Sequence, residues 1–434
     1  MTYCGLTNHC RKPAMSNPSF NPALCATTLV AACLLAAPAS AADWIGAWSA
    51  SPQASWGPEF ALPTGVPAQL ERQSVREVLR LGLGGRRVRV VLSNRYGATP
   101  LTLGAVHLAR AAGADRIVAG TDHGLTFGGQ TSVTVAPGAT IVSDALDWPL
   151  AALDLLAVTT YFPRPTTLST FHWGAQQTGY ISAGTRVAAP ALAGATPLHG
   201  RLFLSAVHVD AGAGSKAVAV LGDSITDGNG STPDRNRRWP DWLAQRLAPH
   251  GVAVLNAGIS GARLLGDGMG QPAAIRFGPD VLAQPGVASV IVLLGINDIG
   301  WPGSAFAPHA APMTAATLIA AYRQLIALAH GHGVRIIGAT LTPFEGALHG
   351  TPLDAYYNED KEKVRQQVNV WLRASGAFDG LLDADAVLRD PARPRRLLPA
   401  YDSGDHLHPG DAGYRALADA VDTTSLLAAH ANQH

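Results

Sequence analysis

The stretch AVAVLGDSITDG at residues 217–228 joins a short valine-rich run to a cluster of Gly, Asp and Ser residues. A run of this kind is typical of a strand that is buried on both faces of a sheet. Similar runs follow, and the intervals between them leave room for one crossover helix each. These runs span residues 252–255, 290–294, 334–340 and 380–383, and helices are predicted over residues 239–247, 314–330 and 360–375. The alternation predicts a doubly wound parallel sheet covered by helices on both faces.

Polar and glycine-rich segments follow three of the predicted strands, where an open α/β sheet binds its ligands. They read GDSITDG at residues 222–228, NAGISG at 256–261 and GIND at 295–298. A fourth segment, DHLHP at residues 405–409, precedes the last helical stretch of the chain. The unusual residues of the chain therefore fall where a catalytic or binding site is expected.

The four segments, taken in this order, resemble the blocks of the GDSL, or SGNH, family of esterases and lipases. The first block reads Gly-Asp-Ser-Ile, a conservative departure at its last position, and the resemblance covers residues 216–430. Each block alone is a weak signal, whereas the ordered set is a strong one. The resemblance implies a flavodoxin-like three-layer α/β/α hydrolase domain that cleaves carboxylic esters without a metal or other cofactor.

The resemblance also implies a role for five residues. Ser224 would be the nucleophile, with Asp405 and His408 completing a catalytic triad. The backbone N–H groups of Ser224 and Gly261, together with the side-chain amide of Asn297, would form the oxyanion hole.

The chemistry of these residue types is compatible with the same roles. A serine hydroxyl such as that of Ser224 is a poor nucleophile until a neighbouring base accepts its proton. His408 can accept it through Nε2 if a carboxylate holds Nδ1, and Asp405 lies only three residues earlier. Glycine at position 261 lets the backbone approach a ligand closely, and the Asn297 amide is a neutral donor.

Each of these residues also has an ordinary structural interpretation. Ser224 and Asn297 could cap helices, and Gly261 could simply form a turn. Asp405 and His408 could be surface-loop residues. We favour the catalytic interpretation because all four ordered blocks would otherwise have to arise by accident.

Two further residues are candidates for the substrate pocket, and a metal site is a competing hypothesis. Arg263 and Trp301 follow the second and third blocks, although an ion-paired surface arginine and a packed core tryptophan are the plainer interpretations. Asp405, His406 and His408 could ligate zinc, but no convincing further ligand segment accompanies them.

Residues 42–210 show a different pattern, with many short strands separated by Gly, Pro, Asn and Asp. The strands are predicted over residues 74–81, 86–92, 101–108, 131–135, 155–162 and 201–209. Gly82, Gly84 and Gly85 predict a β-hairpin between the first two. We expect a β-sandwich or jelly-roll-like domain here. The small residues at 211–215 read as a linker to a hydrolase domain over residues 211–434.

Residues 1–41 have the pattern of a secretory signal peptide. Arg11 and Lys12 precede an apolar run that ends at a small-residue cleavage pattern, Ala39-Ser40-Ala41. The sequence before Cys33 resembles a lipobox, but apolar residues continue past it, which favours cleavage over lipid anchoring. A secreted or periplasmic protein without a stable membrane span is therefore expected. All four cysteines lie in this leader, so the mature chain has no thiol nucleophile.

The composition limits the classes of function. The chain has 434 residues and a formal net charge of +1, which argues against a nucleic-acid partner. We expect an enzyme acting on small-molecule or polymer-borne esters, with short acyl or acetyl groups preferred. A lysophospholipase, an acyltransferase and a non-catalytic glycan-binding protein remain as alternatives.

Overall fold

The structure is a computed structural model, and it describes residues 43–428. The predicted signal peptide and the Cys33 anchoring site lie outside the described residues. Within the described part, no helix combines the length and the apolar character that crossing a membrane requires.

The first half of the described chain consists of antiparallel strands. They are β1 (Trp44–Ser49), β2 (Gln53–Ala54), β3 (Gln69–Leu70), β4 (Gln73–Arg80), β5 (Gly85–Ser93), β6 (Leu101–Leu103), β7 (Ala105–Arg110), β8 (His123–Gly124), β9 (Val133–Val135), β10 (Thr140–Val142), β11 (Leu146–Leu150), β12 (Leu155–Phe162), β13 (Thr166–Thr167), β14 (Thr170–His172), β15 (Gly179–Ala183), β16 (Thr196–Leu198), β17 (Arg201–Leu202) and β18 (Leu204–Asp210). One sheet has the order β1-β18-β5-β10 with β11 also on β5, and another has the order β16-β15-β4-β12-β7-β8.

The two large sheets of this β-rich part share one apolar core. Val90 of β5 and Val207 of β18 come from the first sheet, while Leu79 of β4 and Val158 of β12 come from the second. All four side chains are fully or almost fully buried. Alternate residues of each strand therefore face the other sheet, as in a sandwich.

The predicted β-hairpin at residues 82–85 is wrong. β4 pairs with β12 in one sheet, whereas β5 pairs with β18 in the other. The linking residues bond to other segments: Leu81 N–H donates to Asp154 O (3.0 Å), and Gly82 N–H donates to Ala47 O (2.7 Å). The glycines let the chain pass from one sheet to the other, and composition alone does not separate this use from a tight turn.

The second half has the predicted α/β pattern. Its strands are β19 (Lys216–Gly222), β20 (Val252–Gly258), β21 (Val287–Leu293), β22 (Arg335–Ala339), β23 (Gly380–Leu382), β24 (Arg389–Asp390) and β25 (Arg393–Leu397). Its α-helices are α1 (Ser224–Asp227), α2 (Trp239–Leu247), α3 (Ala273–Phe277), α4 (Ile296–Gly300), α5 (Ala315–Gly331), α6 (Glu359–Ala374), α7 (Ala384–Leu388), α8 (Asp411–Asp419) and α9 (Thr423–Leu427). Short 3-10 helices span Ala248–His250 and Asp354–Tyr356, and a π-helix spans Gly278–Leu282.

The five parallel strands have the order β20-β19-β21-β22-β23, which is the flavodoxin-like order. Successive residues of β19 point to opposite faces of this sheet. Ala219 and Leu221 belong to a core that includes side chains of α5 and α6. Val218 and Val220 belong to a second core that includes side chains of α2 and α8. The predicted three-layer α/β/α arrangement is therefore confirmed.

The β-rich part and the α/β part belong to one compact unit. Ala50, just after β1, forms a parallel bridge with Asn256 of β20, the edge strand of the parallel sheet. Gly46 N–H also donates to Pro285 O (2.8 Å). The secondary structure changes between β18 and β19, at residues 211–215, whereas the boundary between two independently folding domains stays a prediction.

Candidate active site

Ser224 lies at the point where β19, an interior strand of the parallel sheet, gives way to a helix. β19 ends at Gly222, and α1 begins at Ser224. Asp223 is the N-cap of this helix, and its carboxylate accepts a hydrogen bond from Ile225 N–H (3.0 Å). The Ser224 side chain is therefore not used as the cap. The helix places its hydroxyl at the carboxyl edge of the sheet.

The structure brings Ser224 together with His408 and Asp405, although Ser224 is far from both of them in sequence. His408 Nε2 lies 2.7 Å from Ser224 Oγ, and His408 Nδ1 lies 2.5 Å from Asp405 Oδ2. The other carboxylate oxygen of Asp405 accepts the N–H groups of Leu407 (3.0 Å) and His408 (2.8 Å). These backbone bonds help to fix the orientation of the carboxylate beside His408.

Gly261 and Asn297 lie at the ends of the two strands that flank β19. Gly261 follows β20 and has φ +74°, a left-handed conformation that favours glycine. A Cβ there would lie only 2.5 Å from Met269 Sδ, so the turn also has no room for a side chain. Within residues 43–428, the N–H groups of Ser224 and Gly261 donate no hydrogen bond. Both are available to a ligand oxygen.

The segment of the chain that carries this site matches a known protein family. The model of the GDSL-like lipase/acylhydrolase family matches residues 220–416, which contain all five residues described above. This part of the chain belongs to the GDSL-like lipase/acylhydrolase family. Acylhydrolases of this kind cleave carboxylic esters, and the protein is accordingly a carboxylic ester hydrolase. A search of curated proteins finds no match.

Several solved structures resemble the GDSL-like domain. A GDSL-like lipase from Bacteroides thetaiotaomicron is 18% identical and has a TM-score of 0.36. The match covers 48% of this chain and 87% of the lipase chain. A carbohydrate acetylesterase family member from Sinorhizobium meliloti is 18% identical with a TM-score of 0.38, covering 48% and 96%. An aryl esterase from M. smegmatis is 20% identical with a TM-score of 0.38, covering 49% and 100%. Family membership rests on the sequence match and not on these structural similarities.

Three side-chain and backbone contacts orient the Asn297 amide in the GDSL-like domain. Its Oδ1 accepts hydrogen bonds from Trp301 Nε1 (3.1 Å) and from the Tyr356 hydroxyl (2.7 Å). Its Nδ2 donates to Ala262 O (3.0 Å). Burial raises the pKa of Tyr356 well above its ordinary value, so the hydroxyl remains a donor. Among the described residues, the second Nδ2 hydrogen has no acceptor and is left for a ligand.

The two candidates for the substrate pocket lie against each other. Trp301 is only 1% exposed, and its ring packs beneath the Arg263 guanidinium, whose Cζ is 4.5 Å from the ring centroid. Arg263 Nη2 also donates to Asp267 O. Trp301 therefore orients Asn297 through its indole N–H, and a direct contact of either residue with substrate stays a prediction.

Asp405 is held in its ionised form. Burial alone would favour the neutral acid, but the hydrogen bond from the His408 side chain and the two backbone N–H groups lower the pKa of Asp405 far below its ordinary value. An ionised carboxylate only accepts hydrogen bonds, so the proton shared with His408 resides on Nδ1. His408 Nε2 is consequently free to accept the Ser224 proton.

The zinc interpretation finds no support in the positions of the histidines. His406 Nδ1 lies 2.5 Å from Asp402 Oδ2, whereas His408 bonds to Asp405 and Ser224. Within residues 43–428, no group of three or more His, Cys, Asp or Glu side chains is arranged to hold a metal ion.

The structure adds residues that the sequence did not single out. Tyr356 contacts Asn297 from a short 3-10 helix that carries no recognisable motif. His172, in β14 of the β-rich part, contacts Asp227 at the end of α1. Asp227 lies inside the first block, but only the fold shows what it bonds to. A lone histidine in a strand gives no sequence signal.

Asn297→Ala is expected to lower kcat by about 10²- to 10³-fold with little change in KM, because it removes a donor to the transition-state oxyanion. Steady-state kinetics on a soluble aryl ester measures this loss. Asn94→Ala is the matched control, since Asn94 is also buried and donates to backbone carbonyls, but in the β-rich part. Equal kcat values for Asn297→Ala and wild type would contradict the role of Asn297.

Asp223→Asn is expected to change how stability depends on pH. Burial raises the pKa of Asp223 from 3.8 to about 7. Between these values the folded state retains a proton that the unfolded state has released, so wild-type stability falls as pH rises through this window. Asparagine keeps the cap to Ile225 but does not titrate. The unfolding free energy of both proteins is measured with denaturant. The difference, variant minus wild type, should become more positive from pH 3.8 to about 7 and stay constant at higher pH. A difference that stays constant across this range would contradict the assignment.

Proposed function

We propose that this ester hydrolase works through an acyl-enzyme formed on Ser224. The observation that carries the proposal is the continuous hydrogen-bonded chain from Ser224 Oγ through His408 to Asp405. His408 Nε2 takes the Ser224 proton as Oγ bonds to the ester carbonyl carbon. The Asp405 carboxylate stabilises the imidazolium that results.

The tetrahedral intermediate carries a negative charge on the former carbonyl oxygen. The N–H groups of Ser224 and Gly261 and the free Nδ2 hydrogen of Asn297 are the donors for this charge. When the intermediate collapses, His408 gives its proton to the leaving alcohol, and the acyl group stays on Ser224. Water then enters, loses a proton to His408 and releases the carboxylic acid, which regenerates the serine.

For the substrate, we propose small-molecule or polymer-borne esters with short acyl chains. Enzymes that act on lipid aggregates need a broad apolar surface around the site. Here the large apolar side chains exposed among residues 43–428 come from widely separated positions in the sequence: Val118, Val142, Leu155, Leu265, Ile275, Leu328, Val370 and Leu381. Only Leu265 and Ile275 belong to the segment that follows the Gly261 turn. This distribution favours dissolved esters over a lipid surface.

A panel of 4-nitrophenyl esters from acetate to palmitate tests the chain-length proposal. We expect kcat/KM to be highest for acetate or butyrate and to fall as the acyl chain lengthens. Micelle-free concentrations and a detergent control keep substrate aggregation from mimicking this trend. A maximum at the long chains would overturn the proposal and favour a lipase.

We also propose that the protein is exported and loses its leader near Ala41. The basic start, the apolar run and the small-residue pattern of residues 1–41 support this proposal. N-terminal sequencing of protein recovered from outside the cytoplasm should begin close to Ala42. Recovery of the enzyme with residues 1–41 still attached, inside the cytoplasm, would overturn it.

A further inference from the structure

A buried carboxylate links the nucleophile helix to the turn that carries Gly261. Asp227 is the last residue of α1, and it is completely buried. Its Oδ2 accepts hydrogen bonds from Ser260 N–H (3.1 Å) and Ser260 Oγ (2.7 Å). Because Ser224 begins the helix and Ser260 precedes Gly261, Asp227 ties together the two backbone segments whose N–H groups form the oxyanion hole.

The partner for this carboxylate comes from the β-rich part. His172, the last residue of β14, is 4% exposed, and its Nε2 lies 3.0 Å from Asp227 Oδ1. Its Nδ1 lies 2.9 Å from Ser51 O. Both neighbours are acceptors, so both contacts are hydrogen bonds when each ring nitrogen carries a proton. A hydrogen bond from His172 to the buried Asp227 carboxylate offsets part of the cost of burying that group.

The chain just after His172 approaches the same place. Gly174 has φ +74°, and a Cβ there would lie 3.0 Å from Ser260 Oγ and 3.3 Å from Asp227 Oδ2. Gln176 Nε2 donates to Asn229 Oδ1 (3.2 Å), and that same oxygen lies 3.1 Å from Ser260 Oγ. The segment from β14 to Gln176 thus contacts the nucleophile helix and the Gly261 turn at several points.

We propose that His172 is a positioning residue for catalysis, and that the β-rich part acts on the reaction through it. Its bond to Asp227 fixes α1 relative to the Gly261 turn, and so sets the distance between the N–H groups of Ser224 and Gly261. This proposal rests on the acyl-enzyme mechanism proposed above. A displacement of about 1 Å between groups that hold a transition state can cost on the order of 100-fold in rate.

The test compares kcat and KM of His172→Ala and His172→Gln. The rates are expressed per amount of folded enzyme, which circular dichroism measures. His172→Ala removes both hydrogen bonds, and we expect kcat to fall by about 100-fold while KM changes much less. Glutamine can place its amide nitrogen near the former Nε2, so His172→Gln should recover part of this loss. His107→Gln is the matched control, because His107 also pairs with an aspartate (Asp122, 2.8 Å) in the β-rich part but does not contact α1. We expect this control to retain wild-type kcat.

Asp227→Asn provides a second route if His172→Ala does not fold. An amide cannot accept bonds from His172 and Ser260 on both of its ends, so kcat should again fall with little change in KM. The proposal is overturned if His172→Gln and Asp227→Asn fold and keep kcat within a factor of about two, or if they lower only the melting temperature. Wild-type activity in Ser224→Ala would instead overturn the acyl-enzyme mechanism, so the two failures are distinguishable.

Discussion

Ser224→Ala is expected to lower kcat for a short aryl ester by roughly 10⁶-fold, because no other group in the site can form the covalent intermediate. The described residues include no cysteine, so no thiol stands near the site to replace the hydroxyl. His408 would still be in place, but it would have no nucleophile to deprotonate. Residual activity above that of water would reflect the oxyanion donors and substrate binding. Progress curves at high enzyme concentration measure such a large loss.

Ser289→Ala is the matched control for this variant. Ser289 is a buried serine on β21 of the same sheet, and its hydroxyl donates to Leu426 O (2.8 Å). Its loss should affect stability and leave kcat close to wild type. A Ser224→Ala enzyme that retains even a tenth of wild-type kcat would contradict the mechanism, since a triad without its nucleophile loses far more.

Asp405→Asn is expected to lower kcat by about 10⁴-fold while the fold remains intact. The asparagine oxygen can still accept the N–H groups of Leu407 and His408, which leaves the amide nitrogen facing His408 Nδ1. That nitrogen only donates, so His408 would have to carry its proton on Nε2 and could no longer accept the Ser224 proton. The loss should appear in kcat, because binding of the ester does not depend on the tautomer.

The same loop supplies a matched control for this prediction. Asp402 forms a second Asp–His pair with His406 (2.5 Å) and accepts N–H groups from Gly404 and His406. Neither residue of this pair bonds to Ser224. Asp402→Asn should therefore keep kcat within a few-fold of wild type. Similar losses in both variants would contradict the prediction. They would show that the loop needs its carboxylates for folding, and that Asp405 does not act by fixing the tautomer of His408.

The α/β part was predictable from the sequence because its strands are buried on both faces. A strand such as β19 needs apolar residues at every position, so it appears as a continuous run. The position of the site in the fold then follows, because ligands of an open α/β sheet bind beyond the carboxyl ends of its strands. Ser224 and Gly261 lie at such strand ends. The structure places both residues there, together with Asn297, Asp405 and His408. Their catalytic roles stay predictions until the variants are measured.

Other features were not predictable because they depend on contacts between segments far apart in the chain. The glycines at 82–85 resemble a hairpin turn, but only the pairing partners of β4 and β5 show that the chain changes sheet. His172 and Tyr356 carry no local pattern, since each matters only through one distant side chain. Trp301 illustrates an intermediate case: its proximity to the site was evident, whereas its hydrogen bond to Asn297 required the folded geometry.

Mass spectrometry of enzyme inactivated by a fluorophosphonate ester tests the central claim most directly. Such a probe reacts with an activated serine and leaves a stable phosphonyl group that mimics the tetrahedral intermediate. We predict one adduct per chain, located on Ser224 by peptide mapping, with activity lost in proportion to labelling. An enzyme that stays active without labelling, or that is inactivated by modification of a different residue, would contradict the assignment of Ser224 as the nucleophile.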